Sequence, residues 1–88
     1  MDLETTRKEI DTIDKELLKL FQDRLQKVLT IAKIKEETGK SIFDPAREKI
    51  VLEKALAQIN DDEFKPYVTS FVHAVMDICK DCQKIGRA

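Results

Sequence analysis

Arg24, Lys35, Glu48 and Gln83 stand at positions where helical periodicity asks for apolar residues. In the stretch LLKLFQDRLQKVLTIAKIK, residues 17–35, one side of a 3.6-residue spiral collects Leu17, Leu20, Phe21, Val28, Ile31 and Ala32. Arg24 and Lys35 fall among them, 11 residues apart, which puts them on the same side and about 16 Å apart along the axis. Further on, Glu48 lies at the centre of a stripe of Val51, Leu52, Ala55 and Ile59, with Arg47 beside it. Gln83 shares an edge with Val72, Met76 and Cys79. Burying an unpaired charge is expensive, because a low-dielectric interior disfavours the ionised form. Arg24, Lys35 and Arg47 bring three positive charges against the one negative charge of Glu48. Such a surplus is tolerable if the missing anions arrive with a ligand, and arginine's fork matches carboxylates, so the pattern suits a small dicarboxylate. Each residue also has a plainer reading. Arg24 could fix helix register, Lys35 could extend its head past the core, and Glu48 could be a salt-bridge partner for either.

The elements that must hold these groups read as all-α, three helices in a single domain over 1–88. The first helix is expected over about 4–38, with Gly39 as its stop. Asp44 and Pro45 are a good N-cap and first helical residue for a second, over about 45–59. The third is expected over about 64–84, with Tyr67, Val68, Phe71, Val72, Val75, Met76 and Cys79 on its buried side. Ile42 and Phe43, in the loop between the first two, are apolar enough to fold back on the core. A first helix of that length measures about 52 Å, whereas a compact chain of 88 residues is nearer 30 Å across. It therefore overhangs, and an intertwined homodimer with antiparallel long helices would cover it. If two such helices cross near residue 21, Arg7 of one chain faces residue 35 of the other, adding a cation to each pocket.

Composition narrows the classes. Charged residues make up 38% of the chain, yet the net charge is −1, so no basic field for nucleic acid or an anionic membrane is expected. No stretch has the apolar run of a signal peptide or a membrane span, and the expected location is cytoplasmic. Cys79 and Cys82 form a CxxC without a second ligand pair or a thioredoxin-like context, and read as ordinary helix residues. No metal or cofactor is expected.

LETTRKEIDTIDKELLKLFQDR, IAKIKEETGK, IFDPAREKIVLE and YVTSFVHAVMDICKDCQ, in that order, resemble the all-helical chorismate mutase family over nearly the whole chain. The resemblance implies a domain-swapped homodimer of three-helix chains that rearranges chorismate to prephenate in phenylalanine and tyrosine biosynthesis. It implies Arg24 and, from the neighbouring chain, Arg7 as carboxylate anchors. Lys35 would reach the enolpyruvyl carboxylate and the ether oxygen, and Gln83 would be the second donor to that oxygen. Glu48 and the main chain of Asp44 would meet the ring hydroxyl, with Arg47 lining the same pocket. Cys79 departs from the pattern, standing where well-known members carry a small hydroxyl residue. Two alternatives share the fold: isochorismate pyruvate lyase, whose members tend to lack the acid at Glu48, and a non-catalytic dimeric module of a larger aromatic-pathway enzyme.

Overall fold

In a computed structural model, which describes residues 2–87, the chain consists of three α-helices and one short 3-10 helix, with no strand among the described residues. Helix α1 spans Leu3–Thr38, α2 Pro45–Ala57 and α3 Lys65–Arg87, with the 3-10 turn at Asp62–Phe64.

Local chemistry sets the ends. Asp2 caps α1, its side chain accepting from the Thr5 N–H at 2.8 Å. That bond and one from the Thr5 hydroxyl hold the Asp2 carboxyl below its ordinary range. At the other end Gly39 adopts φ 71°, and the Lys40 N–H donates to Lys35 O at 2.8 Å. This Schellman-type ending needs a left-handed residue, which glycine supplies without a Cβ clash. Asp44 caps α2 by accepting from the Arg47 N–H at 3.1 Å, and Pro45 opens the first turn. Helix α2 stops at Ala57 rather than the expected Ile59, because Gln58 and Ile59 donate to Ala55 and Leu56 and tighten the last turn. Helix α3 starts one residue later than expected, after the 3-10 turn that takes Phe64, and continues to Arg87 instead of ending at Lys84. Gly86 permits that extension: a Cβ there would lie 2.9 Å from Leu29 Cδ2 and 3.9 Å from Ala32 Cβ, so the last turn sits tightly on α1.

Helices α1 and α2 each pack against α3 and not against one another. Arg24 meets Cys79 while Leu29 and Ala32 meet Gly86, so α1 and α3 run in the same direction. Their shared core is small: Val28, Ala32, Val72, Met76 and Cys79. Helix α1, 36 residues long, spans the 54 Å longest dimension of the molecule. The radius of gyration is 16.0 Å, against about 12 Å for a compact chain of this size. Every residue from 2 to 20 is exposed, including Ile10, Ile13, Leu17 and Leu20, which recur at the three-four spacing of a helical seam.

In the single chain Tyr67 is 75% and Phe71 53% exposed, because α1 covers α3 chiefly from Val72 onward. Phe71 instead lines an open apolar groove with Leu17, Leu20 and Val75. No helix among the described residues is long and apolar enough to cross a membrane.

Alanine at position 39 would have to occupy the left-handed region, so Gly39→Ala is expected to lower stability by about 1 kcal/mol. Urea unfolding at fixed protein concentration measures it, and an unchanged midpoint contradicts the cap assignment.

Candidate active site

The gap between α1 and α2, floored by α3, forms a cavity of about 370 Å³. Helix α1 contributes Arg24, Lys27 and Lys35, the loop Ile42 and Asp44, α2 Arg47 and Glu48, and α3 Cys79, Lys80 and Gln83. Seven of the eight expected site residues therefore line one cavity: Arg24, Lys35, Asp44, Arg47, Glu48, Cys79 and Gln83. Arg7 does not; it lies on the exposed overhang of α1.

The cations enter this cavity largely without internal counter-charges. Arg24 is half-buried, and its Nη1 donates to Cys79 Sγ at 2.8 Å. Burial pushes the Cys79 thiol up from its ordinary range, with the Arg24 guanidinium offsetting only part of the shift. At neutral pH the partner of Arg24 is thus an uncharged thiol, a weak acceptor that leaves most of the fork's five donors for something else. Lys35 Nζ donates to the carbonyl of Ile42 at 2.9 Å, which ties the loop to α1 and draws Ile42 into the cavity wall. Among the described residues, no salt bridge engages Arg24, Lys35 or Arg47. The Asp44 carboxylate caps α2 and its carbonyl accepts from the Glu48 N–H at 3.0 Å, so its main-chain N–H is the part left to meet a ligand.

Glu48 pairs with neither Arg24 nor Lys35, the partners considered from sequence. Its Oε2 lies 3.1 Å from Lys80 Nζ, with both side chains about one quarter exposed, at 25% and 24%. Lys80 also sits 3.4 Å from Asp77 Oδ1 and 4.9 Å from the centroid of the Phe43 ring. The bond to Glu48 is the main cause raising the Lys80 pKa above its ordinary value, so this ammonium stays charged through the neutral range. Lys80 and Lys27 were not singled out by the apolar-face argument, since neither lies near the centre of its stripe. With them, five cations and two carboxylates line the cavity, a surplus of three positive charges.

Gln83 is 8% exposed, and its Oε1 is buried without a hydrogen-bond partner. Leaving a buried polar atom unsatisfied costs about 1–3 kcal/mol. Cys82, half-buried on the same helix, is a free thiol like Cys79 and does not line this cavity. Among the described residues no cluster of three or more metal-ligating side chains occurs.

Comparison with known proteins gives this arrangement a lineage. The sequence matches the family described as chorismate mutase type II over residues 6–84. It is 32% identical over 88 residues to the bifunctional chorismate mutase/prephenate dehydratase of Aquifex aeolicus (strain VF5), covering 98% of this chain and 24% of that protein. It is 42% identical over 48 residues to the chorismate mutase of Methanocaldococcus jannaschii, covering 54% of this chain and 48% of that one. A third relative, the T-protein of Haemophilus influenzae, is 41% identical over 51 residues, 58% of this chain and 14% of that protein. The chain thus spans less than half the length of each of these curated relatives. No solved structure matches the chain significantly. With one continuous match running from the first turns of α1 to the cavity residues at the end of α3, the chain belongs to the chorismate mutase type II family.

Proposed function

We propose that this chain is a chorismate mutase, rearranging chorismate to prephenate in phenylalanine and tyrosine biosynthesis, and that it works as an intertwined homodimer. The observation that carries the reading is the three-charge cationic surplus in one cavity, with Arg24, Lys35 and Arg47 free of internal carboxylates. Chorismate brings two carboxylates, a ring hydroxyl and an ether oxygen, and the cavity offers a complement to each. Arg24 anchors one carboxylate. Lys35 reaches the enolpyruvyl carboxylate and the ether oxygen, and Arg47 adds positive potential along the same wall. Glu48 and the Asp44 main chain receive the hydroxyl. Cys79 seats Arg24, its thiol accepting from that guanidinium.

The rearrangement is intramolecular and needs no nucleophile, metal or proton transfer. Two kinds of assistance remain. The clamps hold the flexible substrate in its compact, reactive shape, which removes part of the entropic barrier. As the C–O bond breaks, negative charge grows on the ether oxygen, and donors fixed at Lys35 and Gln83 stabilise it more than they stabilise the ground state. The presence of Glu48 favours the mutase over isochorismate pyruvate lyase.

Dimerisation supplies the last cation and covers the overhang. Ile10, Ile13, Leu17 and Leu20 are exposed on α1 of the single chain, beside the open groove lined by Phe71 and Val75. An antiparallel partner helix laid along this seam buries those residues and brings the partner's Arg7 to the Lys35 end of the cavity.

Three measurements test these assignments. Incubation with chorismate and with isochorismate is expected to give prephenate from the first. Salicylate plus pyruvate from the second would favour the lyase, and no turnover of either a non-catalytic module. Gln83→Glu is expected to lose on the order of 100-fold in activity at neutral pH and to regain it in acid, because the carboxyl donates only when protonated. An unshifted pH–rate profile contradicts the role of Gln83. Arg7→Ala and Arg24→Ala are each expected to be nearly inactive, while refolding them together restores about a quarter of wild-type activity, since half the dimers then hold one intact site. Mixtures no more active than their components refute the shared site.

A further inference from the structure

Lys80 stands on the rim between two spaces. It lines the cationic cavity and also an outer groove formed by Ser41, Phe43, Asp77, Asp81 and Lys84. Asp77 and Phe43 hold it from the outer side: Asp77 is 74% exposed, and Phe43 is 56% exposed with its ring under the ammonium. Glu48 reaches out from α2 to meet it at 3.1 Å. The Glu48 carboxylate shares the cavity with Arg24, Lys35 and Arg47, none of which has a carboxylate of its own. Released from Lys80, it would be left in a cavity whose other cations are Arg24, Lys27, Lys35 and Arg47, and free to pair with them. Each pairing of that kind would occupy a donor set that a ligand carboxylate needs.

We propose that Lys80 is a positioning residue: it holds the Glu48 carboxylate at the rim, aimed to accept a hydroxyl, and so keeps it from neutralising the cations that bind the substrate's carboxylates. This rests on the chorismate mutase reading for its substrate. Its ammonium is shared between two carboxylates, so Lys80 adds little to the attraction for a dianion itself. Its effect therefore passes through Glu48. Lysine suits the task, because three rotatable donors can hold Glu48 and Asp77 at once while the stem lies along the Phe43 ring.

Lys80→Met keeps the length of the stem and removes the charge. It is expected to raise KM for chorismate about tenfold with kcat changed by less than about threefold, the size of effect that loss of one charge-assisted hydrogen bond has. Lys80→Arg is expected to restore KM. In a Glu48→Gln background, Lys80→Met is expected to have no further effect. An unchanged KM in Lys80→Met, or an equal KM rise in the Glu48→Gln background, overturns the proposal; the latter would assign Lys80 to packing of the Phe43 loop. Lys80→Gln carries the same expectations and replaces the methionine variant if circular dichroism finds that variant unfolded. Should the wild-type chain fail to convert chorismate, the functional reading falls and malate, a hydroxy dicarboxylate, decides the matter for Lys80. Titrated by NMR, malate is expected to bind the wild type about tenfold more tightly than Lys80→Met. Equal affinities, or no binding by the wild type, refute it.

Discussion

Everything in this structure turns on positive charges that are held in a partly buried cavity without carboxylates of their own. Arg24 donates to a neutral thiol, Lys35 to a main-chain carbonyl, and Arg47 stands on the first turn of α2 with no salt bridge among the described residues. In a protein selected for stability alone, the half-buried Arg24 and Lys35 would be paired or replaced by leucine, because desolvating a cation costs more than a neutral acceptor returns. Arg47 is exposed and adds positive potential at the edge of the cavity. The arrangement makes physical sense as half of an ion pair whose other half is a ligand. A charge set out in advance need not reorganise when the ligand reacts, which is the condition for electrostatic catalysis.

The fold serves that condition through a simple division. Helix α3 is the common floor, and α1 and α2 lean on it without touching each other. The gap between them is the cavity, and its walls are set by contacts that each involve a functional group. Lys35 ties down the loop at Ile42, Arg24 is seated on Cys79, and Lys80 joins α3 to Glu48 on α2 and to Phe43 in the loop. The contacts that set the cavity walls are therefore made by the site's own groups. The apolar core is confined to a few residues of α1 and α3, and apolar side chains along the first half of α1 stay uncovered in the single chain.

Much of this was legible in the sequence, for identifiable reasons. Helix periodicity fixes which face a residue shares, so Arg24, Lys35, Glu48 and Gln83 stood out against leucine and valine neighbours, and the structure brings them into one cavity. Gly39 and the Asp44–Pro45 pair announced the bend that separates α1 from α2. Lys80 escaped because it lies about 120° from the centre of the α3 stripe, and its significance depends on Glu48 and Phe43 arriving from other elements. Tyr67 and Phe71 lie on the apolar side of α3 and are exposed in the single chain, because periodicity says which way a side chain faces, not what is packed there. The end of α3 was misjudged for a related reason. Gly86 weakens a helix by propensity, yet its missing side chain lets the last turn press against Leu29.

The central claim is that the unpaired cations are completed by a doubly negative guest. A crystal structure grown with prephenate tests it most directly. The expected result places the two carboxylates of the product within hydrogen-bond distance of Arg24 and Lys35, with the partner's Arg7 closing the cavity and Glu48 still held by Lys80. Arg24 and Lys35 turned into bulk solvent, or prephenate absent from the space between α1 and α2, would contradict it.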